Sequence, residues 1–408
     1  MNFLIISQNA GSKNHGMVIR NYNWAKSLVN QGHKVTIVAS AQSHSRHTQP
    51  KTSGRVKVEM IEGIEYVWLW GPPYTGNSNL MRVLSMVMFC LQLYLPSKFL
   101  KRERDVVVVS SPPPFSVYPA VRLARRLKAK LVYDIRDLWP LTPKLLGGHS
   151  EGHPLIRAMQ HAECFVLKHA DIVTAVPHQS EAYLLGKGMS GGIFYPFRNG
   201  ICEDAKGQQA HINEEYKQAI NNLRKTHPFI IGYAGAIGRA NAMDYFVKAI
   251  AKTTDKVAAV LIGDGPFEIE VKRQIKALKL EDRIIVLPPI GAHQVHDFLQ
   301  HIDVAYCGMK KSALYEYGAS PTKLNDYMMA QKPVIYAVNE PKNAIELSGA
   351  GVSCDAEDAD KIAMAIDSMV NMSPDTLRDM GEKGKIWAMD NVLVAKQMDI
   401  LVQRLKEI

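Results

Sequence analysis

Two glycine-bearing turns, about half a chain apart, constrain the fold of this sequence more than any other feature. The first follows the apolar run 3–6 as Ser7-Gln8-Asn9-Ala10-Gly11, continues through Gly16, and enters the helical run 22–29. The second follows the apolar run 229–233 as Ala234-Gly235-Ala236-Ile237-Gly238-Arg239 and enters the run 242–250. In each, a buried strand stops at glycines whose missing side chain lets a ligand approach the backbone. The helix beyond offers unpaired N–H groups to an anion. Two such units predict two facing α/β domains with a phosphate-bearing ligand in the cleft between them. Neither turn has the G-x-G-x-x-G spacing of a nicotinamide site, and the strand 35–39 ends without an acid for an adenosine ribose. A two-domain dehydrogenase is therefore the weakest reading.

A chain of 408 residues suits two domains of about 200 each. Strand and helix alternate throughout, which predicts mostly parallel sheets with helices on both faces. The first domain is read as 1–200: strands at 3–6, 35–39, 56–59, 66–69, 106–110, 131–134 and 172–175, with helices at 18–30, 80–95, 116–128 and 154–169. A break at Phe197-Arg198-Asn199-Gly200, followed by a polar, mostly helical stretch 203–226, marks the boundary. The second domain is read as 201–385, with the end of the chain, from about 386 to 408, returning to the first. Both domains are Rossmann-like in this reading. Five scattered cysteines without C-x-x-C spacing argue for reduced thiols and against a disulfide framework or zinc site. The N-terminus runs directly into a strand without a basic leader, which favours a cytoplasmic protein.

Charge is uneven. Residues 1–200 carry 24 Lys+Arg against 11 Asp+Glu, and the remainder carries 25 against 28. A basic half is a footprint for an anionic surface. No helix-turn-helix, zinc finger or aromatic RNA-binding pattern accompanies it, so nucleic acid is disfavoured. A membrane surface fits better because of the segment 80–95. There Leu80, Val83, Leu84, Val87, Leu91 and Leu95 form an apolar stripe at helical spacing, followed by Lys98, Lys101, Arg102 and Arg104. At 16 residues including Arg82 it is too short to span a bilayer. Two readings stand: a core helix packed under the sheet, or an interfacial helix at an anionic lipid surface.

In open α/β sheets ligands bind beyond the carboxyl ends of strands. The turns there include Asp134-x-x-Asp137-Leu138-Trp139-Pro140, Gly263-Asp264-Gly265 and Tyr317-Gly318-Ala319-Ser320-Pro321-Thr322-Lys323-Leu324-Asn325-Asp326. With Gly32-His33-Lys34-Val35 and Arg198-Asn199-Gly200-Ile201, these run in the order of one family across nearly the whole chain. The sequence resembles the family 4 retaining glycosyltransferases of the GT-B fold, and is similar to the bacterial O-antigen and capsule subgroup that includes L-fucosamine transferases.

The resemblance implies roles. Arg239 and Lys323 match the cation pair that grips the donor diphosphate, where fixed positive charge stabilises a leaving group without a metal. Asp326 matches the acid that takes the ribose hydroxyls. Gly263 and Asp264 would line the base pocket, and Gly16 would let the first domain's loop approach the diphosphate. The family pattern also places an acid eight positions before Asp326, where this chain has Gly318. Glu316 is the displaced candidate, and Ser320 with nearby amides an alternative contact to the sugar. Where many members carry a histidine beside the reacting sugar, this chain has Arg136 and Asp137. They become candidates for positioning the donor sugar or the acceptor oxygen. Asp134, Arg136 and Asp137 equally suit a structural ion-pair cluster. Arg20 is a candidate for an acceptor phosphate. His293, His296 and His301 lack a carboxylate or cysteine set that would complete a metal site. Asp358-Ala359-Asp360 reads as a helix cap.

The expected activity is transfer of a sugar, amino or deoxy sugars included, from a nucleotide-sugar donor to a polyprenyl-diphosphate-linked saccharide. From the resemblance alone UDP is the expected nucleotide, and no cofactor or metal is expected. The enzyme would sit peripherally on the inner face of the plasma membrane, in surface-polysaccharide synthesis. Two rivals share the plan: a sugar-nucleotide 2-epimerase, and a non-catalytic sugar-nucleotide sensor or scaffold.

Overall fold

The computed structural model describes residues 1–16, 20–44, 46, 48–74, 80–95, 98–202 and 210–408, with the backbone alone at Leu80, Lys98 and Lys101. The start of the expected helix 18–30, the stretch 203–209 and the side chains of Lys98 and Lys101 lie outside the described residues. The chain divides into two units, Met1–Asn199 with Val394–Ile408, and Gly200–Leu393.

In the first unit eight strands form one sheet: β1 (Asn2–Ile6), β2 (Lys34–Ser40), β3 (Val56–Ile61), β4 (Ile64–Leu69), β5 (Val106–Ser111), β6 (Lys130–Ile135), β7 (Ile172–Ala175) and β8 (Ile193–Pro196), in the order β3-β4-β2-β1-β5-β6-β7-β8. All neighbours are parallel except the hairpin β3–β4. The central strands read as unbroken apolar runs because helices cover both their faces: every residue of β5 is buried. Towards the edge this gives way to alternation, and Val58 and Met60 of β3 face water.

Six parallel strands make the second sheet: β9 (Phe229–Ala234), β10 (Val257–Ile262), β11 (Ile284–Leu287), β12 (Val304–Gly308), β13 (Val334–Ala337) and β14 (Gly351–Cys354), in the order β11-β10-β9-β12-β13-β14. Strand order reverses beside β1 in one sheet and beside β9 in the other. These are the switch points where connections diverge to opposite faces and leave a crevice at the strand ends. Both glycine turns of the sequence lie there.

Three expectations on the fold are corrected. The edge strands β8 and β14 lie outside the expected strands, because Pro196 in one and Gly351 and Ser353 in the other break the apolar run that marks the equally short β7. The returning segment begins at Val394, not near 386. The preceding helix Pro374–Asn391 belongs to the second unit, where Gly381 abuts the backbone at Gln331 so closely that a Cβ would lie 2.0 Å from its oxygen. Helix Val394–Glu407 packs on helix Arg20–Asn30 and takes a hydrogen bond from Tyr195 Oη to the Gln397 carbonyl.

Of the two readings of the helix Leu80–Tyr94, a buried core helix does not hold: only one of its faces is covered. Ser85, Phe89, Gln92 and Leu93 face the protein, and Gln92 donates to the Trp70 carbonyl at 2.8 Å. The apolar stripe Val83, Leu84, Val87 and Leu91, continued by Leu95 beyond the helix, faces outward.

Candidate functional site

In the second unit the turn Gly235–Gly238 after β9 and the turn Gly263–Gly265 after β10 are knitted to each other by backbone. Gly235 N–H donates to the Ile262 carbonyl at 3.0 Å, Ile237 N–H to Asp264 at 2.6 Å, and Phe267 N–H back to Ile237 at 3.1 Å. The approach is so close that a Cβ on Gly263 would lie 1.9 Å from the Gly235 oxygen, and one on Gly265 2.6 Å from the Ile237 oxygen. Both adopt φ of +151°, a region L side chains avoid. The Gly263-Asp264-Gly265 turn is thus the buttress of the β9 turn. Neither Gly263 nor Asp264 reaches the pocket described below that holds Asp326; the Asp264 side chain is exposed.

Against this rigid turn stands Lys323, from the first turn of helix Thr322–Met329. Its Nζ donates to Tyr233 Oη and Asn241 Oδ1, both at 2.7 Å, and lies 3.5 Å from where a Gly235 Cβ would be. It also sits 4.3 Å from the Tyr233 ring centroid. No carboxylate pairs with it among the described residues. Burial lowers its pKa, so an incoming anion would relieve an uncompensated charge. The helix itself has no side-chain cap, which leaves its N-terminal amides for a ligand. One turn on, Tyr327 Oη accepts from the Ala234 N–H at 3.0 Å and pins the helix beneath β9.

Arg239 shares the loop but points elsewhere at rest. It is exposed, with its guanidinium 5.2 Å from the Phe267 ring. The neighbouring loop after β12 meets it at the switch point, where Lys310 N–H donates to the Ala240 carbonyl at 2.9 Å.

Asp326 opens to water on the rim of a cavity of about 470 Å³ whose walls include Ala292, His293, His296, Gln300 and Lys385. Desolvation pushes its carboxyl up to about 6. A larger, more open groove of about 800 Å³ lies at the β14 edge, against Glu346, Asp355 and Lys361, and holds none of the expected site residues.

The absence of an acid at position 318 has a backbone cause. Gly318 caps the short 3₁₀ helix Ala313–Tyr317 at φ +96°, ψ 144°, a conformation open to glycine and strained for glutamate. Glu316 lies exposed on that turn, with no hydrogen bond or ion pair among the described residues. Ser320 is half-buried just before the helix. The buried acid of this region is Glu340, which the sequence reading missed. Its carboxylate accepts from Ala319 N–H at 2.8 Å and Tyr336 Oη at 2.5 Å, holding the turn that presents Lys323. Tyr233, Asn241 and Glu340 follow no motif spacing, so only assembly shows them.

In the first unit the loop that ends at Gly16 (φ +68°) is stitched down. Tyr66 Oη donates to the Gly11 carbonyl at 2.9 Å, and Arg46 donates to the Ala10 and Ser40 carbonyls at 3.2 and 2.5 Å. Arg46 is buried, pairs with no carboxylate among the described residues, and is pushed down to about 10 by burial.

The cluster at the end of β6 separates into two parts. Asp134 is fully buried and accepts from Ser110 Oγ, Thr174 Oγ1 and Arg20, tying β5, β6, β7 and the first helix together. Arg20 spends all five of its N–H donors inside the protein: on both Asp134 oxygens, on the carbonyls of Phe197 and Arg198, and on Asn199 Oδ1. No donor remains for an acceptor phosphate, so Arg20 is corrected to a structural residue. Arg136 and Asp137 make no side-chain hydrogen bond or ion pair among the described residues. Burial lowers the pKa of Arg136 and raises that of Asp137, with each opposing the other's shift. They remain two unspent charges at a strand end.

Asp358 accepts from the N–H groups of Asp360 and Lys361 at 3.1 and 3.0 Å and caps helix Ala359–Val370. Among the described residues no group of three His, Cys, Asp or Glu side chains is placed to hold a metal ion.

Comparison with known proteins agrees with this geometry. Residues 214–387 match the model of glycosyl transferases group 1, and residues 15–192 match that of a glycosyl transferase 4-like domain, so the two together cover most of the chain. No curated protein sequence matches. Similar solved structures include a sucrose-phosphate synthase from Thermosynechococcus elongatus (17% identity, TM-score 0.71, covering 100% of this chain and 99% of that one). Anabaena HepE in complex with UDP is similar too (14%, 0.67, 100% of both chains), as is an Escherichia coli trehalose-6-phosphate structure bound with UDP-2-fluoro glucose (10%, 0.73, 100% and 99%).

Proposed function

Since this chain is a glycosyltransferase of the GT-B fold, we propose that it transfers a sugar, with retention, from a UDP-linked donor to a lipid-linked saccharide at a membrane surface. The observation that carries the donor half is Lys323, held by Tyr233 and Asn241 against a glycine turn with no carboxylate partner among the described residues. That arrangement suits the diphosphate of a nucleotide sugar. Charge grows on the leaving diphosphate as its bond to the anomeric carbon lengthens, and a fixed cation beside amide N–H groups stabilises that growth. Arg239 swings from Phe267 to supply a second cation, and Asp326, ionised above about pH 6, accepts from the ribose hydroxyls. UDP in two of the similar structures supports the choice of nucleotide.

The acceptor hydroxyl attacks the face from which the leaving group departs. The C1–O bond to phosphate breaks, the C1–O bond to the acceptor forms, and the acceptor proton passes to the departing phosphate oxygen. No protein nucleophile and no metal is required in this scheme. Arg136 and Asp137 position the acceptor oxygen or donor sugar, as unspent charges at the end of β6. Surface-polysaccharide synthesis, with the enzyme on the cytoplasmic face of the membrane, is the setting that the basic first half supports.

The test pairs binding with turnover. Calorimetry with UDP, GDP and ADP should rank UDP first, and Lys323→Ala should weaken binding of all three, since Lys323 contacts the diphosphate they share. Incubation with a panel of UDP-sugars and a polyprenyl-diphosphate saccharide should yield product with the donor's anomeric configuration by NMR. An inverted product, or donor turnover without acceptor, would reject the scheme; the second outcome would favour an epimerase.

A further inference from the structure

We propose that the helix Leu80–Tyr94 is a membrane-docking element that lies flat on anionic lipid and brings the β1 and β2 strand ends to the bilayer surface. This rests on the reading of the acceptor as lipid-linked, and it names the surface involved.

The first observation is inverted amphipathicity. Val83, Leu84, Val87, Leu91 and Tyr94 recur at helical spacing on one face, and that face points outward, with Val87 46% and Leu91 57% exposed. The face turned to the protein contains Ser85 and Gln92 beside Phe89 and Leu93. Trp70 and Tyr94 flank the apolar row and are exposed themselves, which suits aromatic rings at the level of lipid headgroups. A contiguous row of this kind marks an interaction surface. No described helix is long and apolar enough to cross a membrane, so the arrangement suits a helix in the plane of the interface.

Charge is the second observation, and it selects lipid over another apolar partner. Residues 66–101 contain Arg82, Lys98 and Lys101 and no acid, while Arg102 is already paired with Glu65 at 2.7 Å. The adjoining helix Val117–Leu127 presents exposed Arg122, Arg125 and Arg126, again without an acid. Arg122 lies 5.8 Å from the Tyr94 ring, at the end of the apolar row. An apolar strip bordered by Arg82, Arg122, Arg125 and Arg126 complements anionic headgroups over hydrocarbon.

Position supplies the third. A Cβ on Gly71 would meet Ser40 Oγ at 3.2 Å and Ser85 Oγ at 3.3 Å, so the helix rests against the carboxyl end of β2. Ser40 N–H donates to Gln8 at 3.0 Å, joining that end to the loop that leads to Gly16. Arg46, a buried cation with no carboxylate partner among the described residues, binds both. Docking therefore sets the acceptor-side loop and an uncompensated positive charge at the depth where the phosphates of a lipid-linked saccharide emerge.

The experiment is vesicle flotation of the full chain with neutral phosphatidylcholine and with vesicles containing about one third phosphatidylglycerol. The double variant Val87→Asp/Leu91→Asp is compared with Val58→Asp/Met60→Asp, which alters exposed apolar residues of edge strand β3. Wild type and the β3 variant should float with anionic vesicles, and the helix variant should bind at least tenfold more weakly. The helix variant should keep UDP affinity and transfer to a short-chain, water-soluble acceptor analogue, which also shows that it is folded. Unchanged vesicle binding by the helix variant overturns the proposal. So does failure of wild type to float, or a wild-type dimer that the helix variant converts to monomer, since a second copy is then the occupant. Vesicle binding without transfer to any lipid-linked acceptor would instead sink the acceptor reading and leave the docking face standing.

Discussion

Glu163→Gln should raise the stability of the first unit at pH 8 and leave it nearly unchanged at pH 5. Glu163 sits on helix Pro154–Leu167 at 2% exposure, and among the described residues its carboxyl oxygens accept only from Tyr183 Oη, at 3.1 and 3.3 Å. It has no ion pair among the described residues. Burial raises its pKa from 4.5 to about 7, against the opposing pull of Tyr183 and Lys187. The sign follows from proton linkage. Between pH 4.5 and 7 the folded state holds a proton that the unfolded state has released, so stability falls as pH rises through that window and stays low above it. Raising the carboxyl from 4.5 to about 7 corresponds to about 3–4 kcal/mol. Glutamine removes the charge and retains an oxygen for Tyr183, so most of that loss should be recovered at pH 8, less the cost of a buried amide N–H₂. Urea denaturation at pH 5, 6, 7 and 8 measures it. Four of the five tryptophans (Trp24, Trp68, Trp70 and Trp139) lie in the first unit, so intrinsic fluorescence reports that unit. A gap between variant and wild type that does not widen from pH 5 to pH 8 would refute the reasoning, because Glu163 would then be ionised in the folded protein at no cost.

Gly263→Ala should destabilise the second unit by more than about 2 kcal/mol, since its Cβ would fall 1.9 Å from the Gly235 oxygen at φ +151°; urea denaturation followed by far-ultraviolet circular dichroism checks it. Arg20→Met leaves the fully buried Asp134 without its cation and should cost about 3–5 kcal/mol, while an acceptor-binding role would instead appear as a KM change with stability unaltered. Calorimetric UDP affinity should fall as pH drops through about 6 and Asp326 takes a proton, and Asp326→Asn should flatten that limb. Lys323→Ala should lower kcat by about 10²-fold or more; normal turnover with a raised KM alone would place its role in ground-state binding.

Much of the architecture was legible in the chain because it rests on local, repeated signals. Unbroken apolar runs such as Val106–Ser111 announce strands covered on both faces, and the two glycine turns announce the strand ends that matter. The edge strands Ile193–Pro196 and Gly351–Cys354 were not legible because proline, glycine and serine interrupt their apolar runs, whereas the equally short Ile172–Ala175 reads as one. Within the site, Lys323 and Asp326 could be picked out by motif, but their partners could not. Tyr233, Asn241 and Glu340 lie 90, 82 and 17 positions from Lys323 and meet it or its turn only through the sheet order.

What the sequence determined alone is therefore periodic or punctuated: which stretches are strand or helix, where glycines interrupt them, and how unevenly charge is spread. Tertiary structure decided which of several chemically equivalent groups are spent. It consumed every donor of Arg20 on Asp134 and the segment 197–199, left Arg136 and Asp137 uncommitted, and turned the apolar side of helix Leu80–Tyr94 away from the core. The physical reason is that hydrogen-bond saturation and burial depend on neighbours distant in the chain, and the identity of a residue carries no record of them.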